Sequence, residues 1–196
     1  MFIKNLGKQV ILLKKDLSFY KSELCVKDIS ILDIIKYSLM SRDFRLNLLV
    51  RILLSKIRII STISQKLIFY LYGSSINRNA NLNCKIRFCH SRNLVIGKHV
   101  IIKSGFAYFF NNVTLGKLHP GAESRSGSMP LFEGNCIFGT GCTVLGSVKA
   151  GKNIVIGANT FCSLQNIPDN TTIIGFNTLK RGVYFENKNP IFFNAF

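Results

Sequence analysis

The sequence predicts a mainly β protein in which a parallel β-helix follows an α-helical N-terminal region. An apolar residue recurs at every sixth position from Phe138 to Cys162, a spacing that neither an α-helix nor a single strand explains. The composition also changes near Gly73, from a helical pattern to a segment rich in Asn, Gly and β-branched residues. With 196 residues, 47% of them hydrophobic, the chain can bury a substantial core.

The first predicted region, residues 1–73, is helical. After a capping Asp28, apolar residues return with the spacing of two or three amphipathic helices, and Gly73 ends the last of them. Basic residues stand beside these apolar stripes, which suits packing on a neighbour or on an anionic membrane surface. We expect the β-helix that follows to fold without this region, and the region to be needed for correct assembly or for proximity to a membrane. The stripes consist of Ile31, Ile34, Ile35 and Leu39, and of Phe44, Leu48, Ile52 and Leu53.

The second predicted region, residues 74–182, carries the six-residue repeat, and residues 183–196 form a tail. Such a repeat is typical of a β-helix, whose coils each bury one apolar residue per flat side and cover the apolar face of the coil before. The repeat shifts by two residues after Phe88 and by one before Phe109. Residues 116–131 interrupt it, and their Gly, Ser and Pro content predicts a protruding loop. The repeating residues are Ile76, Leu82, Phe88, Ile96, Ile102, Phe109, Leu115, Phe132, Phe138, Val144, Ala150, Ile156 and Cys162.

The charge of the chain predicts an anionic ligand. There are 26 Lys and Arg against 9 Asp and Glu, a net charge of +17. The excess is spread over both halves, so a nucleic-acid-binding tail is not indicated and no nucleic-acid partner is expected. Between Asp43 and Glu123 every charged residue is basic, which predicts a positive field over the middle of the fold. A basic surface that serves solubility or contact with anionic lipid headgroups is the alternative.

The sequence does not predict a membrane-spanning helix, a signal peptide or a metal site. In the longest apolar stretch, residues 47–73, four basic side chains interrupt the run that a bilayer crossing needs. The N-terminus lacks an apolar segment leading into a small-residue cleavage site. The six cysteines form no CxxC pair, which favours reduced, buried thiols in the cytoplasm.

From Ser75 to about Gly182 the order of motifs resembles the serine acetyltransferase group of hexapeptide acyltransferases. The segments "INRNANLNCKIRFCHSRNLVIG", "NNVTLG", "PLFEGNCIFGTGCTVLGSVKAGKNIVIGA" and "IPDNTTIIG" follow one another as in that group. The resemblance implies a left-handed β-helix, acetyl-CoA as donor substrate, a homotrimer, and active sites between adjacent prisms. The related sugar acetyltransferases of surface-polysaccharide clusters show the same helical N-terminus.

The resemblance places the general-base histidine of the group at His90. A hydroxyl that attacks a thioester must lose its proton, and imidazole is the side chain whose ordinary pKa lies near the working pH. His99 stands where a corner residue is expected and is interpreted as structural. His119, in the loop, is a second catalytic candidate. A zinc-dependent carbonic anhydrase on a similar β-helix is not favoured, because the three histidines lack a close pair.

The sequence departs from the group where serine should be held. In that group, four positions carry an aspartate that orients the histidine, an acidic residue directly before the histidine, and an Arg-His pair. None of these residue types is present at the matching positions of this sequence. A sugar hydroxyl of a surface polysaccharide or its precursor is therefore the predicted acceptor, with serine O-acetyltransferase as the alternative and a non-catalytic scaffold as a second one. Glu123 or a backbone carbonyl would then orient His90. The four places carry Ser75, Cys89, Ser128 and Met129.

On the donor side, the resemblance implies that corner residues hold the pantetheine arm of CoA. These are Gly139, Thr140 and Ala158, which are small enough for close approach. Lys180 and Arg181 stand where a contact to a CoA phosphate would be useful, with a solvated basic turn as the alternative.

Two further expectations concern assembly and location. The run "YFFNN" carries more aromatic surface, Tyr108, Phe109 and Phe110, than one core position can take, so we expect at least one ring to face a partner in the trimer. We expect the protein in the cytoplasm, with peripheral contact to the inner face of an anionic membrane.

Overall fold

The structure is a computed structural model that describes residues 2–20, 29–118 and 129–181. Four helices lie in the described part of the N-terminal region: α1 (Phe2–Tyr20), α2 (Ile31–Met40), α3 (Arg42–Leu54) and α4 (Arg58–Tyr72). None of them combines the length and the apolar character that a membrane crossing requires.

Local sequence explains where these helices begin and end. The Ser30 hydroxyl accepts a hydrogen bond from the Asp33 N–H at 3.1 Å, and the Asp33 carboxylate accepts one from the Ser30 N–H, a reciprocal capping box. The cap predicted at Asp28 lies outside the described residues, and α2 starts after Ser30 instead. Gly73 ends α4 with a φ of 60°, a left-handed conformation that glycine adopts without strain.

The β-helix has three walls, and its strands are numbered in chain order. The first wall consists of β1 (Ser75–Ile76), β4 (Val95–Ile96), β7 (Thr114–Gly116), β9 (Thr143–Leu145) and β11 (Phe161–Cys162), all paired in parallel. The second wall contains β2 (Asn81–Leu82), β5 (Ile101–Ile102), the first halves of β8 (Leu131–Phe138) and β10 (Lys149–Ile156), and β12 (Asn166–Ile167).

The third wall continues along the two long strands. It contains β3 (Lys85–Phe88), β6 (Phe106–Phe109), the second halves of β8 and β10, and β13 (Thr171–Ile174). β14 (Thr178–Arg181) pairs with β13 in the antiparallel direction and closes the stack.

Every residue of the six-residue repeat is buried, with at most 2% of its surface exposed. Equivalent positions lie over one another, so Phe88, Phe109 and Phe138 form one column with ring centroids 5.5 and 4.9 Å apart. Five free cysteines are described, and four of them are buried in the same way as small apolar residues. The predicted fold class, a mainly β protein with a left-handed parallel β-helix after N-terminal helices, is confirmed.

The helices close the first coil of the β-helix through a buried ion pair. Arg51 donates from Nε to Asp16 Oδ2 at 2.7 Å and from Nη2 to Asp16 Oδ1 at 2.9 Å. The same guanidinium donates to the carbonyl oxygens of Leu82 and Cys84, and Asp16 Oδ1 accepts from the Ile86 N–H. The first coil has no coil before it, so α1 and α3 supply the hydrogen-bond partners that a preceding coil would supply.

Two more side chains extend this closure. Asn47 Nδ2 donates to the Ile86 carbonyl at 2.8 Å, and the Tyr20 hydroxyl accepts from the Phe88 N–H at 3.1 Å. Buried residues of α3 and α4 also belong to the same hydrophobic core as the β-helix. Removing the helical region would leave these buried groups of the first coil without their partners, and independent folding of the β-helix stays a prediction.

Two of the three rings in the aromatic run after β5 are buried within their own chain. Phe109 is in the core, and Tyr108 is 5% exposed because Phe19 of α1 packs on it with ring centroids 5.4 Å apart. Phe110 is half-buried, 6.4 Å from the His90 ring. Tyr108 therefore packs on α1 of its own chain, and the expectation that at least one of the three rings faces a partner stays a prediction that concerns Phe110.

Candidate active site

His90 lies in the longest of four stacked corners. This corner, residues 89–94, joins the third wall to the first, whereas the corners stacked on it, residues 110–113, 139–142 and 157–160, are shorter. The two additional residues are the first phase shift seen in the sequence. His90 has a φ of 70° and Asn93 a φ of 55°, so the chain makes its detour through left-handed residues.

A cavity of about 540 Å³ opens beside this longer corner. Helix α3 forms one side of the cavity and the corners of the first two coils form the other. Two basic side chains, one carboxylate and one imidazole meet there, which is the mixture expected of a site that binds a polar substrate and moves a proton. The lining residues are Arg42, Asp43, His90, Ser91, Arg92 and Asn111.

Asp43 holds the His90 corner from the helical side. Its Oδ1 atom accepts a hydrogen bond from the backbone N–H of Ser91 at 3.0 Å, directly after His90. Asp43 lies in the first turn of α3, where the helix dipole favours a carboxylate. Sequence reasoning missed this residue, since it is far from His90 along the chain. The feature of the sequence that could have pointed to Asp43 is that it is the last carboxylate before the long stretch in which every charged residue is basic.

Ser91 carries an unpartnered hydroxyl at this cavity. The residue is 2% exposed, and its Oγ atom has no hydrogen-bond partner in the described part of the chain. A buried polar atom without a partner costs free energy, and a turn of this side chain toward the cavity would let a ligand group satisfy it.

Arg42 is held at the cavity by Tyr72. The guanidinium carbon lies 5.6 Å from the centre of the Tyr72 ring, within the range of a cation–π contact. The Tyr72 hydroxyl in turn donates to the Arg42 carbonyl oxygen at 3.1 Å. On the opposite side, the Arg92 carbonyl accepts from the Asn112 N–H at 3.0 Å, which fixes the backbone of the second arginine.

The residues expected to hold the donor follow His90 along the same edge of the prism. The corner of Asn111 lies over the His90 corner, and Thr140 Oγ1 donates to Asn111 Oδ1 at 3.0 Å. Ala158 lies one coil further, where the Asn159 N–H donates to the Thr140 carbonyl at 2.7 Å. The structure thus brings His90, Thr140 and Ala158 to one edge, on the first, third and fourth coils, with Asn111 on the second.

Position 139 requires a glycine for steric reasons. A Cβ atom added to it would lie 2.6 Å from the Ala158 backbone nitrogen, closer than real Cβ contacts allow. Glycine therefore permits the two coils to stack closely at the corner where the pantetheine arm is expected.

Lys180 and Arg181 lie elsewhere. β14 reverses after Gly175 and carries them back along β13, where Lys180 pairs with Thr172 and Arg181 with Thr171. The exposed Lys180 side chain is therefore displaced along the third wall from the corner that contains Ala158.

Several residues expected to act at the site are not brought to it. His119, Glu123 and Ser128 lie outside the described residues. Met129 is 4% exposed and its Cε atom packs over Gly97. Ser75 pairs with Val95 within the first wall. Cys89 precedes His90, and burial raises the pKa of its thiol, so it cannot replace a carboxylate near neutral pH.

The described residues contain no group of three or more His, Cys, Asp or Glu side chains that could hold a metal ion. His99 also has a left-handed φ, 67°, but it lies in a different corner, which joins β4 to β5 on another edge of the prism.

The sequence is similar to serine acetyltransferases, although no family model matches it. The enzyme of Synechococcus elongatus is 32% identical over 106 residues, which are 54% of this chain and 41% of the relative. That of Staphylococcus aureus strain Mu50 is 30% identical over 118 residues, 60% of this chain and 51% of the relative. The chain thus spans about half the length of these relatives, or less.

Solved structures of other serine acetyltransferases share the fold. The serine acetyltransferase of Brucella abortus matches with a TM-score of 0.66 and 19% identity, covering 86% of this chain and 70% of the other. A serine acetyltransferase solved as a complex with CoA matches with a TM-score of 0.55 and 23% identity, covering 66% and 52%. Helices followed by a left-handed β-helix are therefore common to this chain and to the serine acetyltransferases.

Proposed function

We propose that the protein is an acyltransferase that uses acetyl-CoA to acetylate a hydroxyl group, with His90 as the general base. The observation that carries the proposal is one edge of the prism, where a polar cavity lies beside His90 and Asn111 on the first two coils and Thr140 and Ala158 follow on the third and fourth. The similarity to serine acetyltransferases, one of them solved with CoA, supports acetyl-CoA as donor substrate.

The proposed reaction balances without a metal or a further reactant. The acceptor hydroxyl oxygen attacks the thioester carbonyl carbon while the His90 imidazole takes the hydroxyl proton. The C–S bond then breaks, and His90 returns the proton to the leaving sulfur. The products are an acetyl ester and free CoA.

Replacing His90 by asparagine tests the base. Asparagine tolerates the left-handed φ of 70° at this corner, so His90→Asn should remove the imidazole and preserve the fold. We expect acetyl transfer, measured as release of free CoA thiol, to fall by about 10²–10⁴-fold. His99→Asn is the matched control, because His99 has nearly the same φ, 67°, on another edge. Equal rates in the two variants would remove His90 from the mechanism and favour the non-catalytic scaffold.

Serine is the acceptor that the comparisons favour, in place of the sugar expected from the sequence. The matched relatives are named for serine, and the cavity beside His90 contains a carboxylate and two guanidinium groups that suit an ammonium and a carboxylate. We therefore propose serine O-acetylation as the first candidate activity.

A sugar hydroxyl is the second candidate acceptor. The places that hold serine in the resembling group carry a half-buried Cys89 and a buried Met129, which cannot bind charged groups. Incubating the protein with acetyl-CoA and either serine or a panel of sugars, followed by mass spectrometry of the products, separates the two candidates.

Homotrimer formation, a cytoplasmic location and peripheral contact with an anionic membrane are also proposals. Exposed apolar side chains on α2 and α4 support a contact with a second chain or with a lipid surface. Sedimentation tests the contact with a second chain, and flotation with anionic vesicles tests the contact with lipid. If the protein assembles but does not bind vesicles, these side chains contact a second chain only. These side chains are Ile31, Leu32, Leu39 and Met40 on α2, and Ile59, Ile63, Phe69 and Tyr70 on α4.

A further inference from the structure

We propose that Arg42, Arg92 and Ser91 form an anion-binding subsite, so that the acceptor carries a carboxylate or a phosphate group near the hydroxyl that reacts. This inference rests on the proposed acetyl transfer at His90. It concerns the class of the acceptor and holds for an amino acid or for an acidic or phosphorylated sugar.

The balance of charge at the cavity favours an anion. Arg42 and Arg92 bring two positive charges, and Asp43 brings one negative charge that already accepts from the Ser91 N–H. In the described part of the chain neither guanidinium forms an ion pair, and no carboxylate occurs in the sequence between Asp43 and Glu123. Guanidinium groups bind carboxylate and phosphate through paired hydrogen bonds.

The hydroxyl of Ser91 is the independent sign of a ligand. It is buried, it belongs to a residue that lines this cavity, and it lacks a partner among the described residues. After a turn of the side chain toward the cavity, this hydroxyl can donate to an anionic oxygen, which would satisfy it. Its neighbour His90 would then face the hydroxyl of the same bound molecule.

The arrangement also explains the departure at Met129. This buried position cannot bind an anion, and the cavity instead draws its positive charge from α3 and from the enlarged corner. The binding of the acceptor would thus have moved to Arg42 and Arg92, while the base remained at the corner of the first coil.

Pairs of acceptors that differ only in the anion test the subsite. We expect the full chain to use serine over serinamide, or glucuronic acid or glucose 6-phosphate over glucose, by about tenfold or more in kcat/KM. A preference for serine or glucuronic acid identifies a carboxylate as the bound group, and a preference for glucose 6-phosphate identifies a phosphate. Arg42→Gln and Arg92→Gln should each reduce that preference by about tenfold and leave the KM for acetyl-CoA unchanged. Arg78→Gln, in the exposed turn after β1, is the control of equal charge and should retain the preference.

Ser91→Ala provides a test that a merely structural role would not pass. Because the hydroxyl has no partner among the described residues, its removal should not lower the melting temperature, yet it should raise the KM for the anionic acceptor by about tenfold or more, the value of one hydrogen bond to a charged group.

The outcomes separate this inference from the proposed function. Equal use of neutral and anionic acceptors overturns the subsite and leaves acetyl transfer intact. A rise in the KM for acetyl-CoA in the arginine variants also overturns it, since the cavity would then bind the donor. If no acceptor is acetylated, binding of serine and glucose 6-phosphate by calorimetry decides: binding lost in Arg42→Gln supports the subsite, and no binding contradicts it.

Discussion

The two ends of the β-helix are closed by different means. At the first coil, α1 and α3 bring a buried Arg51–Asp16 pair and Asn47 against the backbone of β2 and β3. At the last coil, β14 adds one antiparallel strand, and Phe176 before it and Leu179 within it stay 72% and 45% exposed. Polar side chains from a separate region thus close one end, and the chain folding back on itself closes the other.

The difference connects stability to the candidate site. The helices that supply Arg51 and Asn47 also supply Arg42 and Asp43 to the cavity beside His90. The hairpin end contributes Lys180, which lies away from the corner of Ala158. The closed first coil is therefore also the coil where the acceptor is proposed to bind, and damage to this end should affect both folding and catalysis.

The largest effect is expected from breaking the buried ion pair. Arg51→Met leaves the Asp16 carboxylate and two backbone carbonyls without their donor, and we expect a loss of about 3–5 kcal/mol in the free energy of unfolding, measured in urea. Lys103→Met is the matched control, because its pair with Glu133 is 50% and 41% exposed and is expected to contribute about 0–1 kcal/mol. Similar losses in both variants would contradict the closure described for the first coil.

A smaller loss is expected at Asn47. Asn47→Ala removes the buried hydrogen bond to the Ile86 carbonyl, and leaving that carbonyl unpaired should cost about 1–3 kcal/mol. Asn5→Ala, which removes a partly buried bond to the Ser55 carbonyl within the helical region, should cost about 0.5–1.5 kcal/mol. A larger loss at Asn5 than at Asn47 would mean that helix packing, and not contact with the first coil, dominates.

Cysteine ionisation should weaken the fold at high pH. Burial raises the thiol pKa of Cys84 and of Cys142 from 9.0 to about 12. Since these pKa values are raised on folding, the stabilisation is complete below about pH 9 and is lost as the pH rises from 9 towards 12. At pH 10 the two thiols together should reduce the free energy of unfolding by about 3 kcal/mol. Urea unfolding curves at pH 8 and pH 10 measure this difference in the free energy of unfolding. The difference should be smaller in Cys84→Ala, which lacks one of the two thiols.

The smallest effect is expected at the hairpin end. Asn177 Oδ1 accepts from the Ser163 N–H at 2.8 Å in a residue with a φ of 52°, so Asn177→Gly removes the side-chain bond but keeps the backbone conformation. We expect a loss of about 0.5–1.5 kcal/mol in urea unfolding and no change in CoA release. A loss equal to that of Arg51→Met would make the two ends equivalent.

The sequence by itself determined the fold of the β-helix and the position of the candidate base. Each apolar residue of the repeat is buried, because a stacked coil has one inward position per flat side and a polar residue there would lose its water. The phase shift after Phe88 also marked the enlarged corner, since two additional residues cannot fit a corner of ordinary length.

Only the tertiary structure decided what surrounds His90. Asp43 and Arg42 reach the cavity because α3 packs across the first coil, a contact between segments far apart in the chain that no local spacing encodes. The burial of Tyr108 under Phe19 and the pairing of Asp16 with Arg51 have the same origin. Periodicity specifies which residues face inward within a repeat, whereas the docking of a separate helical region depends on the shape and charge of two surfaces that exist only after both have folded.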